Sequence, residues 1–367
     1  MIPFLDLRQI NERFDSKFKA KFDAFLDSGY FILGNEVTHF ETAYANYCDT
    51  THCIGTANGL DAMSIILKGY IALGYLKEQD EVIVASNTYI ATILAVKQAG
   101  LTPVLVEPHE QTFNLDSTLI EKALTSRTKV ILVTHLYGQL ADMDKLKAIA
   151  TKHNIHLIDD CAQSHGAQDN KGRKSGNLCH ASAHSFYPTK NLGALGDAGA
   201  ITTNDDELAT MILKIRNYGF SKKYVADVAG MNSRLDEIQA AFLSEKLLTL
   251  DEDNEKRRYI AKLYLNGINN QKVRLPYYNG SKNHVFHLFV VCVNNREKFT
   301  SHLVENGVGF NVHYPVPPHK QGALRELNDY SYHISTRIHK SVVSLPCHPL
   351  LTYADVKTII EVVNDYV

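Results

Sequence analysis

The chain has 367 residues, 45% hydrophobic and 21% charged, with a formal net charge of −2; that length exceeds one ordinary core and suits a large domain plus a smaller one. The near-neutral charge implies no basic face for nucleic acid or an anionic membrane, and no run approaches the ~18 apolar residues of a membrane span. Six cysteines at 48, 53, 161, 179, 292 and 347 lack CxxC spacing, so reduced thiols in a cytoplasmic protein are expected, with no secretory leader after Met1.

In chain order, residues 8–28 read as a mixed amphipathic helix and Gly29 to Gly34 as a turn. From 51 to about 205, short apolar runs alternate with helical patterns. The strands predicted are His52–Thr56, Glu81–Ala85, Thr102–Val106, Lys129–Val133, Ile155–Asp159, Ala183–Phe186 and Ala200–Thr203. That alternation predicts an α/β fold: a mostly parallel, seven-stranded sheet with helices on both faces. A helical stretch from Ser233 to about Asn266 leads into a smaller C-terminal α+β domain. There His284–Val293 and Gly309–His313 read as strands, and Glu297–Asn306 and Tyr353–Val363 as helices. The expected division is residues 1–245 and 246–367. Neither an internal repeat nor a low-complexity tract is seen.

The chemistry concentrates around Lys190, in His184-Ser185-Phe186-Tyr187-Pro188-Thr189-Lys190-Asn191-Leu192-Gly193. Lys190 reads either as a solvated charge at a turn or as a partly dry amine that bonds an aldehyde as a Schiff base. Pro188 and the following glycines suit the second reading, because they let a flat ring or another segment lie close. Upstream, the apolar run Ile155–Ile158 ends in Asp159-Asp160, with Gln163 three residues beyond Asp160. Such acids cap helices, but a strand can also deliver one into the crevice of an open sheet. In a pyridoxal 5′-phosphate (PLP) enzyme, an Asp keeps the pyridine nitrogen protonated, and Gln163 reads as a donor to the ring oxygen. A further break, Asn58-Gly59-Leu60, opens a helix whose free N–H groups suit a phosphate, with Ser185 as a second donor; an ordinary helix cap is the alternative. Tyr89 is either a core aromatic or a platform stacked on that ring. The glycines at 193, 196 and 199 lack the strand-before, helix-after context of a dinucleotide loop. Histidine pairs such as His180/His184 and His313/His319 lack metal-site spacing, so no metal is expected.

Together these motifs resemble the DegT/StrS-type sugar-nucleotide aminotransferases of the fold type I PLP superfamily. The resemblance extends from Pro3-Phe4-Leu5-Asp6-Leu7 and Gly34 to Phe40, through Thr134–Gln139 and the Asp160 and Lys190 blocks. It continues over Asn232–Glu237 and His313-Tyr314-Pro315 to Leu345–Pro349. It implies Lys190 as the PLP-bearing, catalytic residue, with Gly59, Leu60, Tyr89, Asp160, Gln163, Ser185 and Asn232 as further cofactor contacts. Asn232 would act across a homodimer interface. It implies substrate contacts from Tyr187, Tyr224, His313, Tyr314 and His319. The segment Arg216–Tyr224, whose cations face either solvent or a diphosphate, is most typical of members that aminate C3 of a dTDP-3-keto-6-deoxyhexose, although Phe220 replaces the usual Ser. The implied partners are a nucleotide sugar and L-glutamate, with the amino sugar destined for a surface polysaccharide. Alternatives are a C4 aminotransferase acting on a UDP- or GDP-4-keto sugar, a sugar dehydratase (disfavoured by Lys190, since dehydratases of the family carry His there) and a PLP-binding regulatory protein.

Overall fold

Strand after strand along the large sheet is split between two cores. A computed structural model describes residues Met1 to Val367. The sheet contains β1 (His52–Thr56), β2 (Glu81–Ala85), β3 (Thr102–Val106), β4 (Thr128–Thr134), β5 (His156–Asp160), β6 (Ala181–Ser185) and β7 (Gly199–Thr203). Their order is β1-β7-β6-β5-β4-β2-β3, with β7 antiparallel to both neighbours and the other pairs parallel. Alternate side chains of a strand point to opposite faces. Val82, Val84, Val130, Leu132 and Ile158 therefore join one core, while Ile83, Ala85, Ile131, Val133 and Leu157 join another. Burial on both faces explains the near-continuous apolar runs of the predicted strands.

The helices follow in chain order. The predicted helix over 8–28 is two pieces, α1 (Leu7–Glu12) and α2 (Asp15–Ser28), broken at Arg13-Phe14. Then come α3 (Asn35–Cys48), α4 (Gly59–Ala72), α5 (Ile90–Gln98), α6 (Ser117–Ala123), α7 (Met143–His153) and α8 (Asp206–Ile215). Residues of α4, α5 and α8 cover one sheet face, and residues of α6 and α7 the other. A small hairpin not foreseen from the sequence, β8 (Phe220–Lys222) with β9 (Val225–Ala226), follows. The long predicted helix after Ser233 is also two, α9 (Glu237–Leu247) and α10 (Leu250–Gly267).

Residues 260–366 build a separate core around a three-stranded antiparallel sheet of β10 (Val273–Arg274), β11 (Phe289–Val293) and β12 (Val342–Leu345). Helices α11 (Arg296–Glu305), α12 (His333–Ser341) and α13 (Tyr353–Asn364) complete this region. Two expectations change here. The segment from His284 to Leu288 is not strand, because its backbone bonds to Tyr137 and Gly138 of the large sheet's loops, and β11 starts only at Phe289. Residues 309–313 make only a single bridge, Asn311 to Ser344, while β12 supplies the strand instead.

One carboxylate joins two of the sequence motifs. Glu237, buried at the start of α9, accepts from the N–H groups of Gly34 (2.8 Å), Glu36 (2.6 Å) and Val37 (3.3 Å). It thus caps α3 from another helix, where the helix dipole favours negative charge. A Cβ on Gly34 would lie 2.6 Å from its Oε1, so a side chain there would push the capping carboxylate aside. Glu237→Ala orphans these N–H groups, and we expect a loss of about 2–3 kcal/mol. A lower urea midpoint at unchanged slope checks this; an unchanged midpoint contradicts it.

Candidate active site

The two acids that end β5 face opposite ways. Asp159 shares its side with Leu157 and is buried against His135, whose Nε2 lies 3.2 Å from Oδ2. Burial pushes the Asp159 carboxyl up, but the hydrogen bond and charge of His135, with Ser182 and Cys161, together outweigh it and hold the group below its ordinary range. His135, Asp159 and Cys161 bring ligand atoms within 4.8 Å. Both ring nitrogens of His135 are engaged, however, Nδ1 accepting from the Ala141 N–H at 3.2 Å, so an ion would have to break one of these bonds. Asp160 turns to the other side. Its Oδ2 accepts from Thr92 (2.9 Å) and Thr134 (3.3 Å), and Oδ1 from the Ala162 N–H (3.1 Å). Three donors fix the direction of that carboxylate. Thr92 and Thr134 escaped the sequence reading, since a lone hydroxyl carries no spacing signal. Gln163 is buried, with Oε1 held by the Tyr137 N–H (2.6 Å) and Nε2 donating to the Tyr314 hydroxyl (3.1 Å). That orientation leaves its second amide N–H without an acceptor.

Two lysines line one small cavity, and only one has a free amine. Lys246 donates to Asn11 Oδ1 (3.0 Å) and to the Gly193 carbonyl. Lys190 sits on the turn after β6, its N–H bonded to the Tyr187 carbonyl at 2.8 Å, while its Nζ makes no hydrogen bond. Desolvation lowers Lys190 to about 8, with the Asp160 carboxylate pulling the other way. Lys246 is likewise lowered to about 8 by burial and Arg13. The difference lies in bonding: Lys246 braces the glycine tract, and Lys190 is free to react. Its neighbour Asn191 is clamped by Asn254 (2.7 Å), the Val285 carbonyl (3.3 Å) and His287 (3.1 Å), which anchors the turn.

The ends of β1 and β6 meet beside this lysine. Asn58 caps α4 by accepting from the Asp61 N–H at 2.8 Å. The N–H groups of Gly59 and Leu60 have no acceptor in the chain. A Cβ on Gly59 would lie 2.6 Å from that of Ser185, so only glycine lets the hydroxyl stand against the helix start. Two open N–H groups, a hydroxyl and a helix N-terminus form an anion cradle.

The other predicted contacts divide. Tyr89 is half exposed, its ring 4.9 Å from that of Tyr314. His313 bonds Ser344 Oγ at 2.8 Å, and burial with Lys190 nearby lowers it to about 4. Tyr187 is exposed, its N–H 3.4 Å from Ser185 Oγ. These stand with Lys190. His319 does not: it is fully buried, edge-on to Tyr332. Tyr224 is 81% exposed on the β8–β9 hairpin, and Asn232 is exposed on the turn before α9. Neither makes a side-chain contact with the lysine or the cradle. Arg216 is no diphosphate ligand; it is buried, bonding Glu41 (2.6 Å) and the Gly55 carbonyl (2.8 Å). A free amine, a fixed carboxylate and an anion cradle fit the aldehyde, pyridine nitrogen and phosphate of PLP.

The comparisons agree with this geometry. Residues 12–364 match the DegT/DnrJ/EryC1/StrS aminotransferase family. A dTDP-3-amino-3,6-dideoxy-alpha-D-galactopyranose transaminase of Aneurinibacillus thermoaerophilus is 53% identical over the whole chain and 99% of its own length. The crystal structure of S. venezuelae DesV superposes with a TM-score of 0.94 at 41% identity, covering 100% of this chain and 98% of that one. NtdA of Bacillus subtilis, solved with bound cofactor PMP, gives 0.90 at 31% identity, covering 99% and 84%. With a free lysine within reach of a fixed aspartate's charge, and a match over nearly its full length, the chain belongs to the DegT/DnrJ/EryC1/StrS aminotransferase family.

Proposed function

We propose that this family member is a PLP-dependent transaminase that moves an amino group from L-glutamate to the C3 keto carbon of a dTDP-3-keto-6-deoxyhexose. The observation that carries the reading is the unbonded, desolvated Lys190 amine within electrostatic reach of the fixed Asp160 carboxylate. The 53% identity to a dTDP-3-amino-3,6-dideoxygalactose transaminase supports C3 as the position aminated.

When bound, PLP supplies an aldehyde that joins amines covalently and a pyridinium ring that withdraws electrons from the amine-bearing carbon. Asp160, held by Thr92, Thr134 and the Ala162 N–H, keeps the proton on the ring nitrogen. Gly59, Leu60 and Ser185 would hold the phosphate, Gln163 would donate to the ring oxygen, and Tyr89 would supply an aromatic platform for the ring. Lys190 is the amine that would hold the cofactor's aldehyde. With glutamate bound, its Nζ would take the proton from the glutamate α-carbon, and with the keto sugar bound it would deliver a proton to the sugar C3. Tyr187, His313 and Tyr314 line the sugar side. Tyr224 and Asn232, exposed and away from their own chain's lysine, fit a two-fold homodimer in which each serves the other subunit's site.

Lys190→Ala is expected to abolish transamination, a fall of more than about 10²–10⁴-fold, read as aminated sugar nucleotide by NMR. Normal turnover by that variant refutes the assignment, and water release from the keto sugar without glutamate consumption points to a dehydratase instead. A free amine near 8 also sets a pH dependence. The neutral, nucleophilic form grows as pH rises through about 8, so capture of PLP by the apoprotein should rise with a midpoint there. A midpoint near the ordinary lysine value of about 10.4 contradicts a desolvated amine.

A further inference from the structure

The scheme above gives tasks to Gln163, His313 and Tyr314, and none to the residue that ties them together. Tyr137 lies in the turn after β4 and is 5% exposed. Its backbone has φ +60°, the left-handed region that a tyrosine rarely adopts. The surroundings keep it there. Asn114 spans the turn, its Oδ1 accepting from the Leu136 N–H and its Nδ2 donating to the Gln139 carbonyl, each at 2.9 Å. Gly138 lets neighbouring backbone come close, since a Cβ there would lie 2.9 Å from both the Gln163 carbonyl and the His287 nitrogen. Phe113 packs edge-on to the Tyr137 ring, with centroids 5.9 Å apart, and so directs the phenol. A conformation that local preference resists, yet is held from several sides, marks a position where direction matters.

Two bonds leave this turn toward the site. The Tyr137 N–H donates to Gln163 Oε1 at 2.6 Å, which orients the amide so that Nε2 donates to the Tyr314 hydroxyl at 3.1 Å. The Tyr137 phenol donates to the His313 carbonyl. Because His313 and Tyr314 are consecutive, these three bonds close a ring. It joins two regions: Tyr137 and Gln163 follow β4 and β5 of the large sheet, while His313 and Tyr314 precede β12 of the smaller one. The far side of the ring is pinned as well, by His313 Nδ1 on Ser344 Oγ (2.8 Å) and by His339 Nδ1 donating to the Tyr314 carbonyl (2.7 Å). One N–H of Gln163, the Tyr314 O–H and His313 Nε2 are then left without partners in the chain.

We propose that Tyr137 is a positioning residue for amination of the sugar: its phenol holds the His313-Tyr314 turn in register with Gln163, so that the donor meant for the cofactor's ring oxygen and the groups on the sugar side keep one spacing. Tyr137 is buried and acts only through these neighbours. The proposal deepens the functional reading and rests on it, since it takes Lys190 as the reacting amine and the 313–314 turn as a wall of the sugar site.

The test runs the holoenzyme in two separate half-reactions. Tyr137→Phe keeps the ring against Phe113 and the N–H on Gln163, and removes only the bond to His313. The kcat/KM of the sugar half-reaction, started from the pyridoxamine form, should fall about tenfold, the scale of one lost hydrogen bond; the glutamate half-reaction should fall far less. Residues that act as one unit are not additive. The double variant Tyr137→Phe/Tyr314→Phe should therefore lose clearly less than the product of the two single losses. Equal losses in both half-reactions, or a double loss equal to that product, overturn the proposal. Should Tyr137→Phe not fold, crystal structures of the wild-type holoenzyme alone and with the aminated dTDP-sugar decide. The phenol of Tyr137 on the His313 carbonyl and Gln163 on Tyr314 are expected in both, whereas a 313–314 turn that leaves Tyr137 when the sugar is bound refutes it. A wild-type holoenzyme that aminates no dTDP-3-keto sugar overturns the functional reading, and the proposal with it, before any substitution is made.

Discussion

An ammonium held in a partly dry site opposite a carboxylate is the constraint on which this structure depends. Desolvation weakens the charged form of Lys190, and Asp160 restores part of it, so the amine titrates near 8. Both groups need fixed positions for that balance. Asp160 has three donors from three different segments. Lys190 is fixed through its neighbour Asn191, which is tied to α10 and to the segment before β11. The C-terminal region thus helps to set the position of a lysine carried by the large sheet.

The same logic separates Lys190 from its rival. Burial alone does not identify a reactive lysine, because Lys246 is shifted to the same value in the same cavity. Hydrogen bonding does. An amine engaged by an amide oxygen and a backbone carbonyl is a brace for the loop, and an amine with no acceptor beside a carboxylate is available to an aldehyde. The anion cradle follows from a similar exclusion. Gly59 and Ser185 come together because no Cβ intervenes, and the first N–H groups of α4 remain open there.

Much of this was legible in the sequence, because the cues were local. Most strands of the large sheet are apolar runs closed by turn residues, and Asp160 and Gly59 follow from where such runs stop, whereas β6, which ends at Ser185, reads Ala-Ser-Ala-His-Ser. The helix breaks at Arg13-Phe14 and Leu248-Thr249 were not legible, since the amphipathic pattern runs on through both and only packing interrupts it. Residues His284–Leu288 read as strand because of their apolar content, yet their backbone partners lie in the loop at Tyr137 and Gly138. Pairwise roles were hidden for the same reason. Thr92 beside Asp160 and Glu237 under Gly34 each depend on residues far apart in the chain. The burial of His319 against Tyr332 was likewise not legible from its motif position.

The central claim is that one amine, and not its equally shifted neighbour, takes the cofactor. Borohydride reduction of the holoenzyme followed by peptide mapping tests this most directly. The account predicts a single phosphopyridoxyl label on the peptide carrying Lys190. A label on the peptide carrying Lys246, or an unlabelled Lys190 in active enzyme, would contradict it.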